Sequence, residues 1–147
     1  MSEERRLVTR YARDGNFVRM DTRRAKLVLA SLVVTFVVTR LMLTMSPNSD
    51  FDVAGYNIHH LFTGLLLITA GGIPLALFSG RSVVLDAASL AFGGGLALAL
   101  DEWVYLIATD GSNASYLLPV SLKGGMLMVG LAAVYILVLY MVSRERT

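Results

Sequence analysis

Four long apolar runs, separated by short polar segments, constrain the fold of this chain more than any other feature of its sequence. They occupy about residues 27–45, 58–78, 83–108 and 116–142. A helix over the first run, at about 1.5 Å per residue, is roughly 28 Å long, close to the ~30 Å hydrocarbon thickness of a bilayer. A soluble fold of 147 residues could not shield a hydrophobic fraction of 55% from water. The sequence therefore predicts an all-α membrane protein with four transmembrane helices in an antiparallel up-down-up-down bundle.

The distribution of positive residues predicts the orientation of these helices. Eight of the 13 Lys and Arg residues precede Leu27, one lies between the second and third runs, and two follow the last run. The other two loops, 46–57 and 109–115, contain none. Because positive loops stay on the cytoplasmic side, we predict a multi-pass protein of the cell membrane with both termini in the cytoplasm. Residues 1–26 would form a basic tail or a helix on the membrane surface, and residues 143–147 a short tail.

Composition excludes several classes of function. The chain has no cysteine, which excludes disulfides, cysteine-zinc sites, iron–sulfur clusters and thiol redox chemistry. The basic residues concentrate beside the first apolar run, as is typical of a cytoplasmic flank. We therefore expect the lipid bilayer as a partner and no nucleic acid.

Ionisable residues inside the apolar runs are the candidates for function, because such residues are costly in a membrane. In the predicted topology, all four helices bring one or more of them to the outer leaflet. The candidate cluster consists of Arg40, His59, His60, Asp101, Glu102 and Lys123. Only Asp86 lies toward the inner side.

Mutual pairing would explain this cluster without any ligand. Arg40 and Lys123 supply two positive charges, and Asp101 and Glu102 supply two negative ones. Buried charges in membranes generally pair with one another. We therefore predict that Asp101 or Glu102 lies within ion-pair distance of Arg40 or Lys123. In this interpretation the charges only lock helices together, as in a structural or assembly subunit.

The histidines add a second interpretation, because imidazole and carboxylate groups are ligands of zinc and other divalent metals. The metal ligands would come from His59, His60, Asp101 and Glu102. Neighbouring residues on a helix point ~100° apart. One His and one acid are therefore expected to face the cluster, or both histidines if they precede the helix. The chain lacks the H-E-x-x-H and E-x-x-H spacings of known metal sites.

The leading prediction for function is a pocket that opens to the outside and binds a metal ion or a small polar ligand. The sequence does not decide whether the protein is an enzyme. A serine hydrolase is not supported, because no serine has the sequence context of a nucleophile elbow. One alternative is a proton-coupled or transport subunit that acts as a homo-oligomer or with partner membrane subunits. The other alternative is the structural subunit in which the charges only pair helices.

Overall fold

The computed structural model describes residues 20–46, 52–53, 56–57 and 59–144. Its long helices are α1 (Thr22–Met45), α2 (His60–Leu77), α3 (Val83–Ala108) and α4 (Pro119–Arg144). A short 3-10 helix, Asn113–Leu117, precedes α4. The two-residue strands β1 (Asp52–Val53) and β2 (Tyr56–Asn57) pair antiparallel between α1 and α2.

The four long helices are long and apolar enough to cross a membrane. Most of their large apolar side chains are exposed on the outside of the protein, among them Leu66, Leu77, Ile107, Leu127 and Tyr135. Such a surface would be unstable in water and is well solvated by lipid. The structure therefore supports the predicted membrane protein with four spans.

Helix α3 is the centre of the fold. It packs against α1, α2 and α4, whereas α2 packs mainly on α3 and α1 touches α4 less extensively. All four long helices are apolar, but α3 carries most of the buried residues, including Asp101 and Glu102. The faces of α3 that meet the other three helices are therefore buried, while side chains such as Ile107 stay exposed.

Close approach of α2 to α3 depends on glycine. A β-carbon at Gly64 would lie 2.8 Å from the carbonyl oxygen of Gly95, and one at Gly95 would lie 2.6 Å from the carbonyl oxygen of Gly64. Residue numbers rise along α2 as they fall along the facing side of α3. In lipid no hydrophobic force drives helices together, and close van der Waals packing of the two backbones stabilises the helix pair instead.

A small apolar core joins α1, α3 and α4. Leu32, Ala97 and Val129, one from each helix, form its buried centre. Partly buried apolar side chains surround them, namely Phe36, Leu96, Leu100, Ala132, Ala133 and Ile136. This core lies near the middle of the three helices and joins them next to the level of the polar cluster.

Polar contacts tie the start of α1 to the start of α3. The carboxylate of Asp21 accepts from the backbone N–H groups of Arg23 and Arg24 and caps α1. Arg23 Nη2 lies 2.7 Å from Asp86 Oδ2, and Arg24 donates to the carbonyl oxygen of Gly80. Because of this cap, α1 begins at Thr22 and not at residue 27 as the apolar run alone predicts.

The other helix bounds also differ in detail from the apolar runs. Helix α2 starts at His60, two residues later than predicted, and α3 has the predicted bounds. Residues 116 and 117 belong to the 3-10 helix, so that α4 begins at Pro119, where proline favours a helix start. The predicted surface helix falls in residues 1–26, of which residues 1–19 lie outside the described part of the chain.

Candidate functional site

The structure brings five of the six candidate residues together at one end of the bundle. Arg40 comes from α1, His59 and His60 from the start of α2, and Asp101 and Glu102 from α3. Tyr116 of the 3-10 helix completes the cluster. Of the two acids, Asp101 is 1% exposed and Glu102 is 0% exposed.

Arg40 and Asp101 form a buried ion pair. Nε and Nη2 of Arg40 lie 2.8 Å and 2.5 Å from Oδ1 of Asp101. The remaining guanidinium donors reach the carbonyl oxygens of Tyr116 and Ser121, and Nη2 also lies 3.2 Å from the Ser121 hydroxyl. The guanidinium thus links α1 to α3, to the 3-10 helix and to α4. This confirms the predicted ion pair between Arg40 and one of the acids.

Gly125 provides the room for this pair. A β-carbon at Gly125 would collide with Asp101 Oδ1 and lie 3.0 Å from Arg40 Nη2. The ion pair therefore occupies the space that a side chain on α4 would otherwise fill.

Glu102 lies ~100° around α3 from Asp101 and points toward the start of α2. Its Oε1 accepts from the Tyr116 hydroxyl at 2.5 Å and lies 2.7 Å from His59 Nδ1. Its Oε2 accepts from the backbone N–H of Leu61, one of the free donors in the first turn of α2. The carboxylate thus caps a neighbouring helix, at the end where the helix dipole favours negative charge.

Two buried polar atoms of the cluster have no hydrogen-bond partner. They are His60 Nε2 and Asp101 Oδ2, and they lie 3.8 Å apart. His60 Nε2 is also 3.6 Å from Oε2 of Glu102. Both distances are too long for a direct hydrogen bond, so the imidazole faces two carboxylates without bonding to either.

Aromatic rings enclose the histidine side of the cluster. Tyr105 and Tyr116 stack with ring centroids 3.8 Å apart, and the His60 ring lies 5.3 Å from Tyr116. The loop before Tyr116 is ordered by Asp110, whose Oδ1 accepts from the hydroxyls of Ser115 and Ser112 and from the Ser112 N–H. These hydrogen bonds lower the pKa of Asp110 to about 2.

Lys123 lies outside the cluster. Its side chain is exposed, and it makes no ion pair with a described carboxylate. Ser121 and Gly125 face inward on α4, and Lys123 is two residues, or ~200°, from each of them around the helix axis. Counting along the sequence places Lys123 at the same level of the bundle as the cluster, but it does not give the direction of its side chain around the helix axis.

Both acids and both histidines face the cluster, whereas the sequence predicted one acid with one histidine, or with both histidines if they precede the helix. The histidines converge because His59 is the N-cap residue with an extended backbone, and the helix begins only at His60. The acids converge because α3 is surrounded: Asp101 meets α1 and α4, and Glu102 meets α2 and the 3-10 helix. The expectation of a single inward acid is therefore wrong.

Sequence reasoning missed Tyr116 and Ser121. Neither residue is among the candidates predicted from the sequence, which are Arg, Lys, His and acidic residues inside the apolar runs. The available signal was their position: both lie in the stretch that enters the membrane beside the acids of α3. A buried cluster of charged groups in lipid requires hydrogen-bond partners, and Tyr116 in the 3-10 helix and Ser121 in α4 are in the segment that can supply them.

A metal site is not supported. Within the described part of the chain, no group of three or more His, Asp or Glu side chains is arranged to hold a metal ion. The oxygens of Glu102 are already engaged by Tyr116, His59 and Leu61. What the arrangement can do is hold a proton between imidazole and carboxylate groups.

Comparison of the chain with protein-family models, with curated proteins and with solved structures finds no significant match.

Proposed function

We propose that this chain is a multi-pass protein of the cell membrane, with both termini in the cytoplasm, whose polar cluster binds one proton at the outer side. The supporting observation is the charge balance of the cluster. Asp101 and Glu102 are both buried. Arg40 supplies one positive charge, and its guanidinium is paired with Asp101. Among the residues that the structure describes, no Lys or Arg lies beside the second negative charge, on Glu102.

One proton makes the cluster neutral. The charged and titratable groups that face it are Arg40 from α1, His59 and His60 from α2, Asp101, Glu102 and Tyr105 from α3, and Tyr116 from the 3-10 helix. With neutral imidazoles their sum is one negative charge. An uncompensated charge is costly at this depth in a membrane, and a proton on His59, His60 or Glu102 removes it.

Two features make the histidines suitable carriers. Imidazole exchanges a proton in the physiological pH range more readily than any other side chain with an ordinary environment. His59 Nδ1 lies 2.7 Å from Glu102 Oε1 and 3.1 Å from the Tyr116 hydroxyl oxygen, so it is within hydrogen-bond distance of both. His60 keeps an unbonded nitrogen beside both acids. A proton could therefore move between imidazoles and carboxylates over short distances.

The contacts favour proton exchange from one side over transport across the membrane. Between Asp86 and Asp101, the only polar side chain of α3 is Ser89. Ser89 is fully buried and donates to the carbonyl oxygen of Leu85 at 2.8 Å. This stretch of α3 offers no relay toward the inner end.

Protonation of the cluster can be measured directly, because the chain contains only two histidines. We expect ¹⁵N NMR of histidine-labelled protein, together with the infrared carboxyl band, to show one proton per molecule bound to the cluster in the wild type, with both signals followed across a pH titration. Glu102→Gln removes the uncompensated charge, so this bound proton should be lost. Asp86→Asn is the control and should leave it in place.

Two results would contradict the proposal. One is a wild type in which both imidazoles are neutral and both carboxyls are ionised across the whole range. The other is a change in the imidazole signals on adding zinc at a stoichiometric amount, which would restore the metal interpretation.

The Arg40 side of the cluster favours a second role, which is to hold the bundle together. Its guanidinium contacts three helical segments besides its own. This role and proton binding involve different acids, Asp101 and Glu102 respectively.

A further inference from the structure

A groove opens between α1 and α4 at the end of the bundle opposite the polar cluster. Its volume is about 180 Å³, and it is lined by Ala25, Lys26, Leu29, Ile136, Leu137 and Tyr140. The volume is several times the roughly 30 Å³ that one water molecule occupies in the liquid. The lining offers water few polar partners, so hydrocarbon is the filler that suits it.

Contacts close the groove at both ends. Toward the membrane centre, Ile136 also packs on the buried cluster of Leu32 and Val129. At the other end, the Ser143 hydroxyl lies 3.6 Å from the sulfur of Met20. Contacts thus join the two segments on both sides of the groove between α1 and α4, and the groove is a recess in a surface that faces lipid.

Lys26 provides charge at the rim of this recess. Its neighbours Arg23 and Arg24 are engaged by Asp86, by Asp21 and by the carbonyl oxygen of Gly80. Lys26 is exposed and forms no ion pair with a described carboxylate. A free ammonium group on a long aliphatic stem, at the level where a membrane helix begins, suits a lipid phosphate.

We propose that this groove binds one anionic phospholipid, with an acyl chain between α1 and α4 and its phosphate on the ammonium group of Lys26. In the proposed topology this lipid belongs to the cytoplasmic leaflet, where anionic lipids and basic residues meet. The site rests on membrane insertion and its leaflet on the proposed topology, and both are independent of proton binding by the cluster.

Native mass spectrometry of the full chain in detergent tests this site. With phosphatidylglycerol added, we expect one preferentially retained lipid per protein, and weaker retention of phosphatidylcholine. Lys26→Gln should weaken phosphatidylglycerol binding about five-fold. Lys123→Gln is the matched control, since it removes the other lysine of the chain from the opposite end and should leave retention unchanged.

A second variant tests the apolar part of the site. Ala25→Leu should fill the groove and reduce retention of both lipids, with the melting temperature measured alongside to verify folding. Equal losses in Lys26→Gln and Lys123→Gln would overturn the proposal, as would equal retention of the two lipids by the wild type. Loss of proton binding in Glu102→Gln would not alter either result.

Discussion

At the scale of single residues, Arg40 and Asp101 depend on each other. Both side chains are almost fully buried, and the distance between Nη2 and Oδ1 is 2.5 Å. A buried pair contributes little net stability compared with apolar groups of similar size, but a buried charge without its partner is costly. The loss of one member should therefore be worse than the loss of both.

We predict that Arg40→Met and Asp101→Leu each destabilise the protein by about 3–5 kcal/mol, and that the double variant is more stable than either single one. Denaturant unfolding of the four proteins in detergent measures the coupling. The Arg23–Asp86 pair is the control, since Arg23 is 61% exposed and exposed pairs couple by about 0–1 kcal/mol. Simple additivity of the Arg40 and Asp101 effects would refute the lock.

The residues of the cluster also show what sequence can and cannot give. Depth in the membrane follows from counting along each apolar run, and it correctly grouped Arg40, His59, His60, Asp101 and Glu102. Direction around each helix does not follow from counting, because the apolar runs have no clear polar face. Lys123 was for this reason included in the cluster although its side chain points away from it.

At the scale of helices, small residues decide which pairs can approach closely. Gly95 faces the backbone of α2, and a β-carbon there would lie 2.6 Å from the Gly64 carbonyl oxygen and 2.7 Å from the Ile68 nitrogen. Backbone atoms cannot rotate away as side chains can. An added methyl group must therefore separate the two helices.

We predict that Gly95→Ala destabilises the protein by about 1–3 kcal/mol, through overpacking between α2 and α3. Gly130→Ala is the matched control on α4, because nothing lies within 4 Å of a β-carbon at that position. There the higher helix propensity of alanine should add up to about 1 kcal/mol. Thermal unfolding in detergent compares the two variants, and equal effects would contradict this packing.

Helix bounds were predictable where the apolar signal coincides with the cap, as in α3. They were less so for α1, where Arg23, Arg24 and Lys26 belong to the helix but not to the apolar run. Long basic side chains can extend from a helix end to the interface, so the helix continues past its hydrophobic part. The central position of α3 could not be predicted, since it depends on which glycines face one another.

At the scale of the whole molecule, the distribution of positive residues is the basis of the proposed topology. Eight of 13 lie before Leu27, and none lies in loops 46–57 and 109–115. The polar cluster lies at the end of the bundle that these two loops share. If the loops are outside, the proton exchanges with the external medium.

We predict that a reporter fused after Thr147 is active only in the cytoplasm, and that one inserted at residues 46–57 is active only outside, by the positive-inside rule. Enzyme reporters that work on one side of the membrane measure this in cells. A second fusion in the 79–82 turn, which contains Arg81, should behave like the C-terminal one. Cytoplasmic activity from the 46–57 insertion would move the cluster to the inner face.

The buried acids of α3 also bear on how the protein is made. Acidic residues raise the free energy of inserting a helix through the translocon, by about 2.5–3.5 kcal/mol for an Asp at its centre. Arg40 and the two histidines emerge from the ribosome before Asp101 and Glu102, whereas Tyr116 emerges after them. Helix α3 can thus meet its first countercharge as soon as it enters the bilayer. Because α1 and α2 precede α3 in the chain, their partners for its two acids are already synthesised when α3 enters the bilayer, and the 3-10 helix and α4 add theirs afterwards.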